Sequence, residues 1–177
     1  MYFKKLDLTF DAPDFQVGKL AMRYGLKVEN KFHGIWYNEI DKENECPLKG
    51  IIPEEFQDAF VMQLMQVNSF IPPHTDSDTL AVINFYIETD ECITQFYEIK
   101  DDAKPFQLDN QTNGHLYNLD DLILGPSFHS QPGEVYVLDV SKVHSVIPID
   151  DRKVKRKALC LASPHLNFDQ VQELLFT

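Results

Sequence analysis

The stretch Ile71-Pro72-Pro73-His74-Thr75-Asp76-Ser77-Asp78 lies between two apolar, β-rich runs of this sequence. On an extended strand, residues two positions apart point to the same face, so His74 and Asp76 can present an imidazole and a carboxylate to one site. The two prolines rigidify the approach to His74. A His-x-Asp triplet alone is weak evidence, because it arises by chance in many proteins. The triplet indicates a metal site only if another segment of the chain supplies a further ligand.

A third ligand is available about seventy residues later, in Ser141-Lys142-Val143-His144-Ser145-Val146. His144 lies at what reads as the end of a separate strand. His115 and His129 lie in the less regular stretch before it and compete for the same role. Two histidines and one carboxylate on a single face of a metal suit Fe(II), and they leave the opposite positions open for a cosubstrate and oxygen.

The segments around these residues predict strands. The runs Thr79–Ile87, Cys92–Ile99 and Arg156–Ala162 are apolar and rich in β-forming residues, and Pro132-Gly133 forms a turn that leads into another such run. Several short strands separated by turns, with ligands near strand ends, predict a mainly β fold, a double-sheet jelly roll with a few flanking helices.

The remaining segments give a coarser set of expectations. Lys100 to Ser130 is the least regular part, and it is either a lid over the site or an insertion that packs outside. Alternation in Leu80–Ile87 turns Asn84 and Tyr86 toward either a polar cavity or solvent, whereas Trp36 and Tyr37 are either packing residues or a pocket wall. Further expected elements are an edge strand from Tyr2 to Phe10, a helix around Phe15 to Tyr24, a brief helix from Ile51 to Phe60, a strand from Val61 to Phe70, and a terminal helix opened by the capping box Asn167-Phe168-Asp169-Gln170.

Composition limits the class of protein. A chain of 177 residues with 44% hydrophobic content suits one domain, residues 1–177, with its own core. The net charge of −12 opposes direct binding to nucleic acid or to anionic membranes. No apolar window long enough to span a membrane occurs. The three cysteines, Cys46, Cys92 and Cys160, show no pairing pattern, so reduced thiols in the cytoplasm are expected.

The ordered set of His74-x-Asp76, Pro132-Gly133, His144 and Arg156 resembles the Fe(II)/2-oxoglutarate-dependent dioxygenases, especially their prolyl-4-hydroxylase-like branch. The resemblance covers about residues 60–163. It implies a double-stranded β-helix, the cupin-like jelly roll. It also implies that His74, Asp76 and His144 hold Fe(II) and that Arg156 pairs with the distal carboxylate of 2-oxoglutarate.

The activity that the resemblance implies is hydroxylation of a protein side chain or a small molecule, with O2 as cosubstrate and with release of succinate and CO2. One position departs from the family. Many members carry Ser or Thr two residues after the arginine, and this chain carries Ala158. The missing hydroxyl motivates an alternative, in which the jelly roll is a non-catalytic or redox-inert metal-binding module with a structural or binding role.

Overall fold

The computed structural model describes residues 1–8, 21–28, 31–39, 51–68, 70–90, 92–107, 114–149 and 155–175. The described chain is mainly β, as predicted. Two short 3-10 helices span Glu54–Ala59 and Leu119–Asp121, and one α-helix, α1, spans Phe168–Leu175. The strands are β1 Phe3–Leu6, β2 Ala21–Val28, β3 Lys31–Glu39, β4 Val61–Val67, β5 Ile71–Thr75, β6 Ala81–Asp90, β7 Cys92–Ile99, β8 His115–Leu116, β9 Leu122–Phe128, β10 Val135–Leu138, β11 His144–Pro148 and β12 Lys155–Ser163.

These strands form two antiparallel sheets. The large sheet has the order β1-β10-β6-β12-β4-β3-β2, and the small sheet has the order β8-β5-β11-β7-β9. Strands distant in sequence are neighbours in both sheets, as in a jelly roll. The inner faces pack on each other through one apolar core, to which both sheets contribute; its members include Val67, Ile71, Tyr86, Phe96 and Phe128. The predicted double-sheet jelly roll, with its cupin-like form, is confirmed.

A second apolar core covers the outer face of the large sheet. There α1 and the first 3-10 helix lie over Ile83, Phe85 and neighbouring residues, and Phe168 and Val171 of α1 are buried. The alternation predicted for β6 is therefore confirmed, because Ile83 and Phe85 pack outward and Tyr86 packs between the sheets. Of the described residues, none belongs to a helix long and apolar enough to cross a membrane.

The terminal helix begins as the sequence predicts. The N–H of Gln170 donates to Asn167 Oδ1, and the N–H of Asn167 donates to Gln170 Oε1, both at 3.0 Å. This reciprocal pair is a capping box. The brief helix from Ile51 to Phe60 is confirmed as the 3-10 helix Glu54–Ala59, and β1 is an edge strand of the large sheet.

The helix expected around Phe15 to Tyr24 is wrong for its last four residues. Ala21–Val28 is a strand, β2, which pairs with β3 along most of its length. Cross-strand pairing overrides the weak helical preference of this short run, and Gly25 within it disfavours a helix. Residues 15–20 lie outside the described chain. Trp36 and Tyr37 lie in β3, and their side chains are likewise outside the described part.

The long connection from Lys100 to Ser130 joins the small sheet. Phe106 and Leu116 form a β-bridge, β8 pairs with β5, and β9 pairs with β7. Residues 108–113 of the connection lie outside the described chain. What the structure describes of it adds a strand to each edge of the small sheet, and one of these strands, β8, lies next to β5, which carries His74.

Candidate metal centre and anion cradle

Strand pairing brings the three predicted ligands together. In the antiparallel pair of β11 with β5, His144 lies directly opposite His74, and their ring centroids are 4.3 Å apart. Asp76 follows the end of β5, where its N–H donates to the carbonyl of Val140 at 3.1 Å. One ligand atom from each of the three side chains lies within 4.8 Å of the other two. The separation of seventy residues in sequence is thus closed by one strand contact.

Both imidazole rings are oriented by backbone carbonyls. Nδ1 of His74 lies 2.9 Å from the carbonyl oxygen of Pro72, and Nδ1 of His144 lies 2.9 Å from that of Lys142. A carbonyl oxygen only accepts, so each Nδ1 carries the proton and each Nε2 keeps its lone pair free. Metal-binding histidines are usually held in this way by their second nitrogen. Nε2 of His74 lies 3.7 Å from Oδ1 of Asp76, so the free nitrogen faces the carboxylate.

The electrostatics of the triad favour a bound cation. Burial lowers the pKa of His144 to about 3, with the charge of His74 as a second cause, so His144 is neutral at pH 7 and able to bind a metal. Burial raises the pKa of Asp76, against the opposing charge of His74. A carboxylate that burial disfavours gains most from a cation beside it. The side chains of His74 and Asp76 remain 17% and 29% exposed, which leaves the group accessible from solvent.

The two competing histidines lie elsewhere. His115, on β8, pairs with Thr75 rather than with His74 and is exposed. His129 follows β9, is exposed, and has its Nδ1 3.5 Å from Gln131 Nε2. Within the described ranges, the triad is the one group of three or more His, Cys, Asp or Glu side chains whose atoms converge in this way.

His129→Ala is therefore expected to leave metal binding unchanged, because its imidazole does not reach the triad. The matched variant His144→Ala removes a ligand and is expected to weaken binding. Anaerobic isothermal titration of both variants with Fe(II) measures the difference. Loss of binding in His129→Ala together with retention in His144→Ala would show that the ligand set is wrong.

A buried arginine lies deeper between the sheets. Arg156, on β12, is 2% exposed, and its Nη1 donates to Thr94 Oγ1 of the small sheet at 2.9 Å. Its guanidinium carbon lies 5.3 Å from the ring centroid of Tyr86. Nε and Nη2 are buried without a hydrogen-bond partner, and no carboxylate of the described residues pairs with the charge. Leaving a buried cation with two unpartnered donors is costly, so these donors are suited to an anion.

The Thr94 hydroxyl contacts the guanidinium, and Thr89 lies opposite Arg156 on the neighbouring strand, even though residue 158 is alanine. A bulge between β12 and β6 sets Ala158 opposite Tyr86 and Arg156 opposite Thr89. In a regular strand, residues 86 and 89 would point to opposite faces, because they are an odd number of positions apart. Residues opposite each other in a sheet share a face, so Thr89 and Tyr86 both turn toward the interior. Thr89 Oγ1 is buried and without a partner. We call Arg156, Thr94, Thr89 and Tyr86 the anion cradle.

The cradle and the triad lie next to each other along β7. Phe96 is opposite His144, and Thr94 of the cradle lies two residues away from Phe96 along β7. The row of residues that contains His144 and the row that contains Thr94 are therefore about 7 Å apart along the strand. The charge of Arg156 is also among the causes that lower the pKa of His144. Phe96 is buried and its ring centroid lies 5.7 Å from that of His144, which makes the wall between the two rows apolar.

Sequence reasoning found Arg156 but missed its hydroxyl partners. Thr94 carried a usable signal, since alternation along Cys92–Ile99 places it on the same face as Phe96. Thr89 carried none, because regular alternation assigns it to the outer face with Ile87, and only the bulge turns it inward. Asn84 and Tyr86 face the interior rather than solvent. Asn84 is buried, and its Nδ2 lies 3.4 Å from the Tyr86 hydroxyl.

No family model matches the sequence, and no curated protein matches it significantly. Solved structures with a similar fold include a vicilin from Solanum melongena, at 16% identity over 82% of this chain and 28% of that chain, with a TM-score of 0.41. A 7S globulin from Momordica charantia shares 10% identity over 84% of this chain and 33% of that chain, with a TM-score of 0.43. An oxidoreductase of the 2OG-Fe(II) oxygenase family from Burkholderia pseudomallei shares 13% identity over 83% of this chain and 74% of that chain, with a TM-score of 0.41.

The chain spans about a third of the length of the vicilin and the 7S globulin. Similarity at these identities concerns the fold alone, and the similar structures include both an oxidoreductase and vicilins. The chemistry of this chain is therefore inferred from the triad and the cradle themselves.

Proposed function

We propose that this chain is an Fe(II)- and 2-oxoglutarate-dependent dioxygenase of the prolyl-4-hydroxylase-like kind, which hydroxylates a protein side chain or a small molecule. The observation that supports the proposal is a buried arginine, Arg156, with two unused donors close to a His-Asp-His triad. A metal site alone has many uses. A metal site with a buried receptor for a second anionic group fits a ligand that binds at both ends.

The charges of the interior support a dianionic ligand. Asp76 offsets one charge of a divalent ion, the two histidines would bind that ion as neutral imidazoles, and Arg156 adds a positive charge with no counter-charge among the described residues. A dicarboxylate neutralises the remainder when one carboxylate binds at the metal and the other meets Arg156. The spacing of about 7 Å along β7 between the positions of Thr94 and Phe96 is comparable to the length of a short dicarboxylate such as 2-oxoglutarate.

Each residue then has a physical role. His74 and His144 would hold the ion through Nε2, and Asp76 would supply its anionic ligand. Arg156, with Thr94 and Thr89, fixes the distal carboxylate in one orientation. Phe96 and Tyr86 keep the space between them dry. When bound, iron and 2-oxoglutarate supply oxygen activation coupled to release of succinate and CO2.

The test is anaerobic addition of 2-oxoglutarate to the Fe(II)-loaded protein. We expect a weak visible charge-transfer band, because the keto and carboxylate oxygens bind iron together only when the open positions and the cradle are both present. The Zn(II)-loaded protein is the control and gives no band. A protein that binds Fe(II) but never develops the band would count against the proposal.

The lack of a hydroxyl at Ala158 favours the alternative, a metal-binding module without catalysis. Thr89 weakens that reason, because it places a hydroxyl directly opposite Arg156. Release of succinate above the uncoupled background with any candidate substrate eliminates the module.

We further propose that residues 1–177 form one domain that binds neither nucleic acid nor a membrane, in keeping with the net charge of −12. Cys92 and Cys160 are buried free thiols, which supports a reducing compartment such as the cytoplasm.

A further inference from the structure

We infer that Gly114 is a positioning residue for Asp76, and that the connection carrying Gly114 docks on the metal centre as part of its support. This inference rests on the proposed metal centre. Asp76 lies just beyond the end of β5, outside any strand. A ligand in that place is not held by ladder hydrogen bonds, so its position depends on what packs against its backbone.

Gly114 packs there more closely than any other residue type allows. Its φ is +77°, in the region that side chains rarely adopt. A Cβ at this position would lie 2.0 Å from the carbonyl oxygen of Thr75, 3.2 Å from its carbonyl carbon and 3.6 Å from Cα of Asp76. Carbon and oxygen cannot approach to 2.0 Å without a bond, and the atoms met are backbone. Any side chain at 114 therefore displaces the peptide that leads into Asp76.

Hydrogen bonds fix this contact. The N–H of Gly114 donates to Ser77 Oγ at 3.0 Å, and Gln107 Nε2 donates to the carbonyl of Gly114 at 2.9 Å. The N–H of Tyr117 donates to the carbonyl of Pro73 at 3.0 Å. The connection is thus bonded to the chain on both sides of His74 and Asp76.

The opposite side of Asp76 is held by the inner part of the fold, through its hydrogen bond to Val140. The carboxylate is therefore positioned between two supports, one from the segment before β11 and one from the connection at Gly114. Because binding a cation stabilises the arrangement that presents Asp76 correctly, metal binding and docking of the connection must be coupled in both directions.

The experiment compares Gly114→Ala with Gly125→Ala. Gly125 lies on β9 at the opposite edge of the small sheet, where a Cβ would also meet backbone, 3.0 Å from the carbonyl oxygen of Phe96. We expect Gly114→Ala to weaken Fe(II) binding by about tenfold or more in anaerobic titration, as loss of outer-sphere support does. We expect Gly125→Ala to bind Fe(II) like the wild type, whatever its melting temperature.

Gly114→Asn separates the two possible causes. Asparagine tolerates a positive φ but still carries a Cβ. If the contact of the Cβ with Thr75 causes the loss of Fe(II) affinity, Gly114→Asn should weaken binding as much as Gly114→Ala does. Wild-type affinity in Gly114→Asn would show that this contact is not the cause. Equal loss of affinity in Gly125→Ala would overturn the specific role of Gly114, because any disturbance of the small sheet would then suffice.

Hydrogen exchange of the wild-type protein keeps the inference testable if Gly114→Ala does not fold. The amides of Gly114 and Tyr117 are expected to exchange more slowly with Fe(II) than without it. Unchanged exchange in a protein that binds Fe(II) would overturn this inference and leave the proposed function standing. Failure of the wild-type protein to bind Fe(II) would overturn both.

Discussion

Asp76→Ala is expected to abolish metal binding while leaving the metal-free protein folded and no less stable. Asp76 is the anionic member of the triad, so its loss removes a coordination bond and the charge that offsets a dication. The effect should exceed the roughly 10–100-fold loss that follows outer-sphere changes. Turnover should disappear with the metal.

The raised pKa of Asp76 makes the metal-free variant no less stable than the wild type. Burial raises the pKa of Asp76 in the folded protein, so at neutral pH its charge opposes folding when no cation is present. Removal of that charge relieves the cost. Thermal melts with and without Fe(II) measure both effects: the wild type should be stabilised by Fe(II), and the variant should not.

Asp78→Ala is the matched control for Asp76→Ala. Asp78 is exposed two residues further on and does not belong to the triad, so its removal should leave Fe(II) binding intact. An Asp76→Ala protein that still melts at a higher temperature with Fe(II) would contradict the assignment of this ligand.

Arg156→Met is expected to separate cosubstrate binding from stability. The variant keeps all three triad residues, so it should bind Fe(II) normally. It loses the charge-assisted pair with the distal carboxylate, a loss of about 2–5 kcal/mol for a buried pair. The requirement for 2-oxoglutarate should therefore rise steeply while metal content stays near that of the wild type.

The metal-free Arg156→Met protein should be as stable as the wild type or more so. In the wild type the guanidinium is buried with Nε and Nη2 unused, and its hydrogen bond to Thr94 and its contact with Tyr86 offset only part of that cost. Methionine fills much of the same volume without a charge. Denaturant unfolding of the metal-free proteins measures this difference.

Lys157→Met is the control, because Lys157 is adjacent but points to the opposite face of β12. It should change neither the 2-oxoglutarate requirement nor Fe(II) binding. Normal 2-oxoglutarate dependence in Arg156→Met would contradict the cradle.

The sequence predicted those parts of the molecule that follow from periodicity and local chemistry. Alternation in β6 predicted which side chains share a face of the strand, and the capping box at Asn167 predicted the start of α1. His74 and Asp76 needed only the period of a strand. What could not be predicted depends on contacts between distant segments.

The choice of His144 among three histidines is one such contact, because it depends on β11 pairing with β5. The inward turn of Thr89 is another, since a bulge changes the phase of a strand without a mark in the sequence. The strand at Ala21–Val28 is a third: its partner β3, rather than its own residues, decides its conformation.

The pairing of His144 with His74 has a consequence for the order of folding. The two histidines are about seventy residues apart, and they meet only after the intervening loop has closed and β11 has joined β5. Closing such a loop costs chain entropy before any contact repays it, and an unfolded chain offers a metal only the local pair at His74 and Asp76. A metal ion that binds the triad would therefore enter a jelly roll that is already formed, and the complete triad is a late product of folding rather than its nucleus.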